Sequence, residues 1–269
     1  MRRLTLLFAA VATATLGASC VGTTGSDLVT FRAAAAGPAD VVQGQPYTFV
    51  TARNYTVSLT MATLHVGGVY LNIAHPLSGA QSTDCINPGL YVAEVTSGLD
   101  VDVLNPNPQP FPVKGEGTQT LAAIAEVWLT HGDVNDLMDT APMLTLQGTA
   151  TASDGKSYPF QGTITIGENK LAPITDSAQP SLHPICKERI VSGIDAPITP
   201  KNGGSLLLRI DPKGWFINVN FAQLTPDPAG TGNYLFNDTL NDQPDKNLYL
   251  GIHANSGVYD FEWVDSATP

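Results

Sequence analysis

Apolar and polar residues alternate with a period of two along most of the chain, the pattern of strands that bury one face. The longest such run is Tyr55 to Ala74. In it Val57, Leu59 and Met61 alternate with Ser58 and Thr60, the apolar phase then moves to Leu64 and Val66, and it moves again to Val69, Leu71 and Ile73. A change of phase turns the opposite set of side chains towards the core, so two changes in one run predict bulges or a break. Gly67-Gly68 marks the second change, which predicts two strands or one strongly bent strand. The clearest hairpin joins Met143–Ala152 to Ser157–Ile166 through Ser153-Asp154-Gly155-Lys156, because Asp-Gly between alternating runs favours a tight turn. Shorter strands are predicted at Leu28–Arg32, Tyr47–Ala52, Tyr91–Val95, Leu99–Leu104, Ile185–Val191, Ser205–Ile210 and Trp215–Phe221. Leu121–Thr130 suits a buried strand or a short helix, with Glu126-Val127-Trp128-Leu129 favouring the strand. A second hairpin is expected from Asn247–Ile252 and Val258–Val264 around Ala254-Asn255-Ser256-Gly257.

About a dozen short strands, with helix expected only in the first residues, predict an all-β protein. The expected architecture is a β-sandwich, either immunoglobulin-like or jelly-roll-like. Composition agrees: hydrophobic residues make up 43% and charged residues 14%, with 25 Gly and 20 Pro, so turns are frequent and helix-favouring charged residues scarce. Residues 167–184, with Pro173, Pro180 and Pro184, are the best place for a boundary between two halves, and no repeat of fixed period is visible. Asn105 to Pro112 carries Pro106, Pro108, Pro110 and Pro112 and reads as an extended surface connection, which explains it as well as a polyproline ligand would.

The N-terminus supplies an address. Met1-Arg2-Arg3 is a basic start, Leu4–Leu16 an apolar run of 13 residues, and Gly17-Ala18-Ser19-Cys20 a set of small residues ending in cysteine. Thirteen residues are too few to span a bilayer. The stretch resembles a bacterial lipoprotein signal, with Leu16 one position farther from Cys20 than is usual, an ordinary cleaved signal being the alternative. That resemblance implies removal of residues 1–19, a lipid on Cys20, a Gly, Thr and Ser-rich tether over 20–27, and a folded body over 28–269. It also implies a bacterial cell-envelope protein, periplasmic or surface-exposed, held to the membrane by several acyl chains, because one chain anchors only marginally.

With Cys20 lipidated, Cys85 and Cys186 are the remaining thiols, and an exported protein meets oxidising conditions. A disulfide between them is expected, stabilising the fold by roughly 4–5 kcal/mol on the chain-entropy argument. Two free thiols or a thiolate metal pair is the competing reading. Acidic residues outnumber basic ones by 24 to 13 and no basic cluster appears, which disfavours nucleic acid as a partner.

No GxSxG, HExxH, phosphate-binding glycine loop or dinucleotide fingerprint is present. The Asp-Gly turn accounts for the SxxK text at Ser153–Lys156. Asn54-Tyr55-Thr56 and Asn237-Asp238-Thr239 match the glycosylation pattern, which a bacterial signal makes irrelevant. Two oxygen-rich clusters, Asp133, Asn135, Asp136 and Asp139, then Asp238, Asn241, Asp242 and Asp245, could interest Ca²⁺ but lack EF-hand spacing, and solvated turns describe them better. The five histidines are His65, His75, His131, His183 and His253, none in a short ligand motif. Imidazoles brought together by folding would suit copper or zinc, with His65, His75, His131 and His253 as candidate ligands.

Tyr55 to His75 together with Trp128 to His131 resembles the methanobactin-associated periplasmic copper proteins, the MbnP-like family. The resemblance implies an exported β-rich protein whose copper is held by histidines and, in some members, by an oxidised tryptophan. Trp128 and His131 depart from that pattern, since residues three apart on a strand point to opposite faces. The expectation is therefore a non-catalytic, lipid-anchored binding or structural module with a protein, glycan or metal ligand. The alternatives are a periplasmic copper or zinc protein and, more distantly, a hydrolase with dispersed catalytic residues.

Overall fold

The computed structural model describes residues 27–74, 91–131, 141–165, 190–237 and 242–265. His75, His183, Cys20, Cys85, Cys186 and the 133–139 acidic cluster lie outside these, as does the boundary considered at 167–184. In chain order the strands are β1 (Leu28–Ala36), β2 (Tyr47–Val50), β3 (Thr56–Val66), β4 (Gly68–Asn72), β5 (Tyr91–Val95), β6 (Leu99–Asp102), β7 (Gln109–Pro110) and β8 (Gly115–Thr118). They continue as β9 (Ile124–Trp128), β10 (Pro142–Thr151), β11 (Ser157–Thr165), β12 (Ile190–Asp195), β13 (Ser205–Ile210), β14 (Thr225–Pro226) and β15 (Tyr234–Asn237); helix α1 (Gln243–Ile252) and β16 (Tyr259–Val264) close the chain.

Two sheets form. The nine-stranded sheet runs β12-β9-β4-β5-β8-β1-β13-β16 with β7 on β1, and the seven-stranded sheet runs β14-β15-β11-β10-β3-β2 with β6 on β3. Strands from both sides of residues 167–184 take part in each sheet. The inner faces meet in one core, to which Leu59, Leu64, Leu146 and Phe160 contribute from one sheet and Phe31, Val69, Leu71 and Val127 from the other. Phe160, Phe216, Phe221 and Phe236 pack as a ring cluster with centroids 5.2–6.3 Å apart.

The phase changes in the 55–74 run take two different forms. The first is a bulge: Gln147 pairs with Met61 but Gly148 with Leu59, so one residue of β3 is passed over and the buried set moves from Val57 and Leu59 to Ala62 and Leu64. The second is the end of the strand, because β3 belongs to the seven-stranded sheet and β4 to the nine-stranded one. The chain crosses between layers at Gly67.

Two predicted strands are helical turns instead. Around Trp215–Phe221 the chain forms short 3-10 helices at Pro212–Phe216 and Phe221–Gln223, and Ile217, expected on the buried face with Trp215, is 51% exposed. Asp211 starts the first turn by accepting the Lys213 N–H ahead of Pro212, a proline placed where its missing N–H costs nothing. Asn247–Ile252 lies in α1, which corrects the expectation that helix is confined to the signal segment. Asp242 caps it by accepting the Asp245 N–H, Pro244 sits in its first turn, and the buried Asp245, Leu248, Tyr249 and Ile252 follow helical spacing. These two members of the second acidic cluster therefore serve the helix: Asp242 also accepts the Thr225 hydroxyl, and Asp245 accepts the Asn237 N–H. No described helix is long and apolar enough to cross a membrane.

Candidate metal centre

The crossing at Gly67 builds the site. The Gly67 N–H donates to the Trp128 carbonyl at 2.7 Å, and Gly68 pairs with Trp128 at the start of the β4–β9 ladder. A Cβ on Gly67 would fall 1.9 Å from the Thr130 carbonyl oxygen, so the two backbones touch where β9 runs out. That contact carries His131 over His65. From the other side β6 pairs antiparallel with β3, and His65 and Asp100 are direct cross-strand partners. Three elements from two sheets thus converge on one edge of the sandwich.

His65 is the buried member, 9% exposed, and its Nδ1 lies 2.7 Å from Asp100 Oδ1. The His131 ring stacks on it with centroids 3.5 Å apart and planes 15° from parallel, and His131 Nε2 is 4.0 Å from the same carboxylate oxygen. One potential ligand atom from each of the three residues lies within 4.8 Å of the others. One further observation favours a ligand. Among the described residues His65 Nε2 is buried without a hydrogen-bond partner; it packs against Gly98, where an added Cβ would lie 3.0 Å from that nitrogen. An imidazole whose Nδ1–H is held by a carboxylate presents its Nε2 lone pair for coordination, the arrangement common behind metal-bound histidines. Two imidazole nitrogens and a carboxylate suit zinc, copper or another divalent transition ion. An ion lies in the plane of each imidazole it joins, so two nearly parallel stacked rings must open to share one.

Of the other sequence candidates, His253 ends α1, where its Nδ1 lies 2.8 Å from the Tyr249 carbonyl and its ring 4.2 Å from that of Tyr249; it does not join the group. Asp100 escaped the sequence reading. It sits in an ordinary alternating strand, and only the β3–β6 register reveals its partner. Trp128 goes elsewhere than the imidazoles; it is the last residue of β9 and His131 lies beyond the strand, so the backbone's departure from β9, and not strand alternation, separates the two. Its ring packs on Tyr70 at 4.5 Å and its Nε1–H donates to Glu126 Oε2 at 3.4 Å.

Glu126 itself is 5% exposed on the outer face of the nine-stranded sheet, accepting from Ser192 at 3.0 Å and Tyr91 at 3.3 Å. Burial raises its pKa above the ordinary carboxylate range, against the lowering effect of its hydrogen bonds to Ser192, Trp128, Tyr91 and Asn72. The folded state then holds the proton more tightly than the unfolded chain, so stability should fall as pH rises from the ordinary glutamate value through the raised one. Glu126→Gln should flatten that decline, which denaturant midpoints taken every half unit from pH 4 to 8 would show. An equal slope in both proteins would exclude Glu126 as its source.

No protein-family model matches the sequence, nor does any curated protein. Among solved structures the chain is similar to MbnP from Methylosinus trichosporium, at 14% identity over 77% of this chain and 83% of that one, with a TM-score of 0.32. It is also similar to a candidate cell adhesion protein from Bacteroides eggerthii, at 11% identity over 89% of this chain and 56% of that one, with a TM-score of 0.21. Both superpositions are too loose to transfer a property to this chain. The class defined by the fold and the site together is an all-β sandwich with a histidine-aspartate group at one edge.

Proposed function

We propose that this protein is an exported, non-catalytic metal-binding module that takes copper or zinc at His65 and His131, with Asp100 holding the His65 ring in place. The buried Nε2 of His65, without a hydrogen-bond partner among the described residues, carries the reading, because leaving such an atom unsatisfied costs stability that a ligand would restore. The likeness to MbnP agrees with it but adds no weight. In this reading His65, through Nε2, and His131 donate imidazole nitrogen, and Asp100, 2.7 Å from the His65 Nδ1, fixes the His65 tautomer. The lipid on Cys20 would hold the module at the cell envelope, and a Cys85–Cys186 disulfide would staple the body. Two imidazole donors at one edge of the sandwich leave coordination positions for a partner molecule that supplies or removes the ion.

The test is metal content by mass spectrometry on untagged protein exposed separately to Cu(I), Cu(II), Zn²⁺ and Fe²⁺ and then desalted. About one ion per chain is expected for copper or zinc, falling to background in His131→Ala. Retention should also decline as the buffer is acidified into the range where imidazoles take up protons, since the ion must displace them. Retention unchanged in His131→Ala, or none for any ion, would refute the site. In that case the binding-module reading turns to protein or glycan partners, tested by envelope cross-linking.

A further inference from the structure

We infer that the outer face of the nine-stranded sheet carries a second, independent site for a medium-chain alkyl carboxylate. Ala33-Ala34-Ala35-Ala36 ends β1, and Ala34 faces outward, opposite Pro110 on β7 and Leu207 on β13. A methyl group there leaves the floor of the sheet low. Across it the segment Pro108–Lys114 stands as a wall, giving a cavity of about 340 Å³ within the range of small-ligand pockets. The wall is fixed before any ligand arrives. Proline restricts its backbone, the Gln109 side chain exchanges two 2.9 Å hydrogen bonds with the Asp102 backbone, and the Phe111 N–H donates to the Ala33 carbonyl. An alternating-proline segment that the sequence leaves as a mere connection thus has a defined task.

Charge and hydrogen bonding choose the ligand. In a chain with 24 acidic and 13 basic residues, the charged residues lining this cavity among the described residues are Arg32 and Lys114, and none of the described lining is acidic. Ser205 lies opposite Arg32 in register and also lines the cavity, and its buried hydroxyl has no hydrogen-bond partner among the described residues. A guanidinium and a buried hydroxyl at neighbouring positions, with Val264 beside them as the cross-strand partner of Ser205, suit a carboxylate head, while Ala34, Pro110 and Leu207 suit the alkyl tail.

Calorimetry on the purified full chain tests this with hexanoate, octanoate, decanoate and dodecanoate, and with decanol and decyltrimethylammonium as head-group controls. One ligand per chain is expected, with affinity rising about fourfold per methylene until the cavity is full. Decanoate should bind at least tenfold tighter than either control. Ala34→Met fills the cavity and should abolish binding. Val264→Glu, at a position already 40% exposed and so harmless to folding, should weaken decanoate tenfold or more through repulsion. Lys114→Gln should weaken decanoate and leave decanol unchanged. Equal binding of decanoate and decyltrimethylammonium, wild-type affinity in Val264→Glu, or no binding in the series would overturn the proposal. So would decanoate binding seen only after Cys20→Ser, which would make the chain's own acyl group the occupant.

Discussion

Gly67→Ala is expected to destabilise the protein by about 3 kcal/mol or more and to abolish metal retention in the same variant. The new methyl would sit 1.9 Å from the Thr130 carbonyl oxygen and 3.3 Å from the Thr130 N, both main-chain atoms. A side chain could swing away, but here one of two paired backbones must move. Moving either lengthens the 2.7 Å hydrogen bond from Gly67 to Trp128 and disturbs the adjoining Gly68–Trp128 pair. The core offers little relief, because Leu64, Val66, Val69 and Val127 around the crossing are all 1% exposed or less. The same movement lifts His131 off His65. Urea unfolding monitored by circular dichroism, with metal content measured in parallel, would show both effects. Near-native stability would mean that the crossing is looser than its contacts imply. Native stability with metal lost would confine the damage to the site.

The crossing was legible in the chain because the hydrophobic phase changed there and two glycines marked the place. The Asp154-Gly155 hairpin was legible for a similar local reason: Gly155 adopts φ +86°, and the Asp154 carboxylate accepts the Lys156 N–H at 2.9 Å. What local pattern does not contain is register. His65 could be singled out as an imidazole, but its pairing with Asp100 depends on which residue of β6 faces which residue of β3. Its stacking on His131 depends on a contact between different sheets. Helix α1 failed to be recognised for the opposite reason, since its signals were present and outweighed. Asp242 and Pro244 announce a helix start, yet Leu248, Leu250 and Ile252 also alternate as a strand would. Packing decides between them: a Cβ on Gly251 would lie 2.3 Å from the Trp215 carbonyl oxygen, so α1 packs backbone to backbone on the preceding 3-10 turn.

Gly98→Ala separates the chemistry of the site from the stability of the fold. Its Cβ would lie 2.9 Å from His65 Cε1 and 3.0 Å from Nε2, too close for either atom to stay in place. Unlike the Gly67 clash, this one meets the end of a side chain, so the ring can yield by a few tenths of an ångström. The His65–Asp100 hydrogen bond and the stack on His131 both resist that shift, and the new methyl crowds the side of the ring that carries Nε2. The metal-free protein should therefore lose no more than about 1 kcal/mol, the lower end for overpacking. Metal affinity should fall about 10- to 100-fold, the range found when the surroundings of a ligand are disturbed while the ligands themselves remain. Competition against a chelator of known affinity reads the second quantity and thermal unfolding of the metal-free protein the first. Unchanged affinity would move the ion away from Nε2 and onto the Nδ1 side, where Asp100 now sits, and Asp100→Asn would then become the more damaging change. A large loss of stability would instead show that Gly98 is needed for the β3–β6 pairing itself.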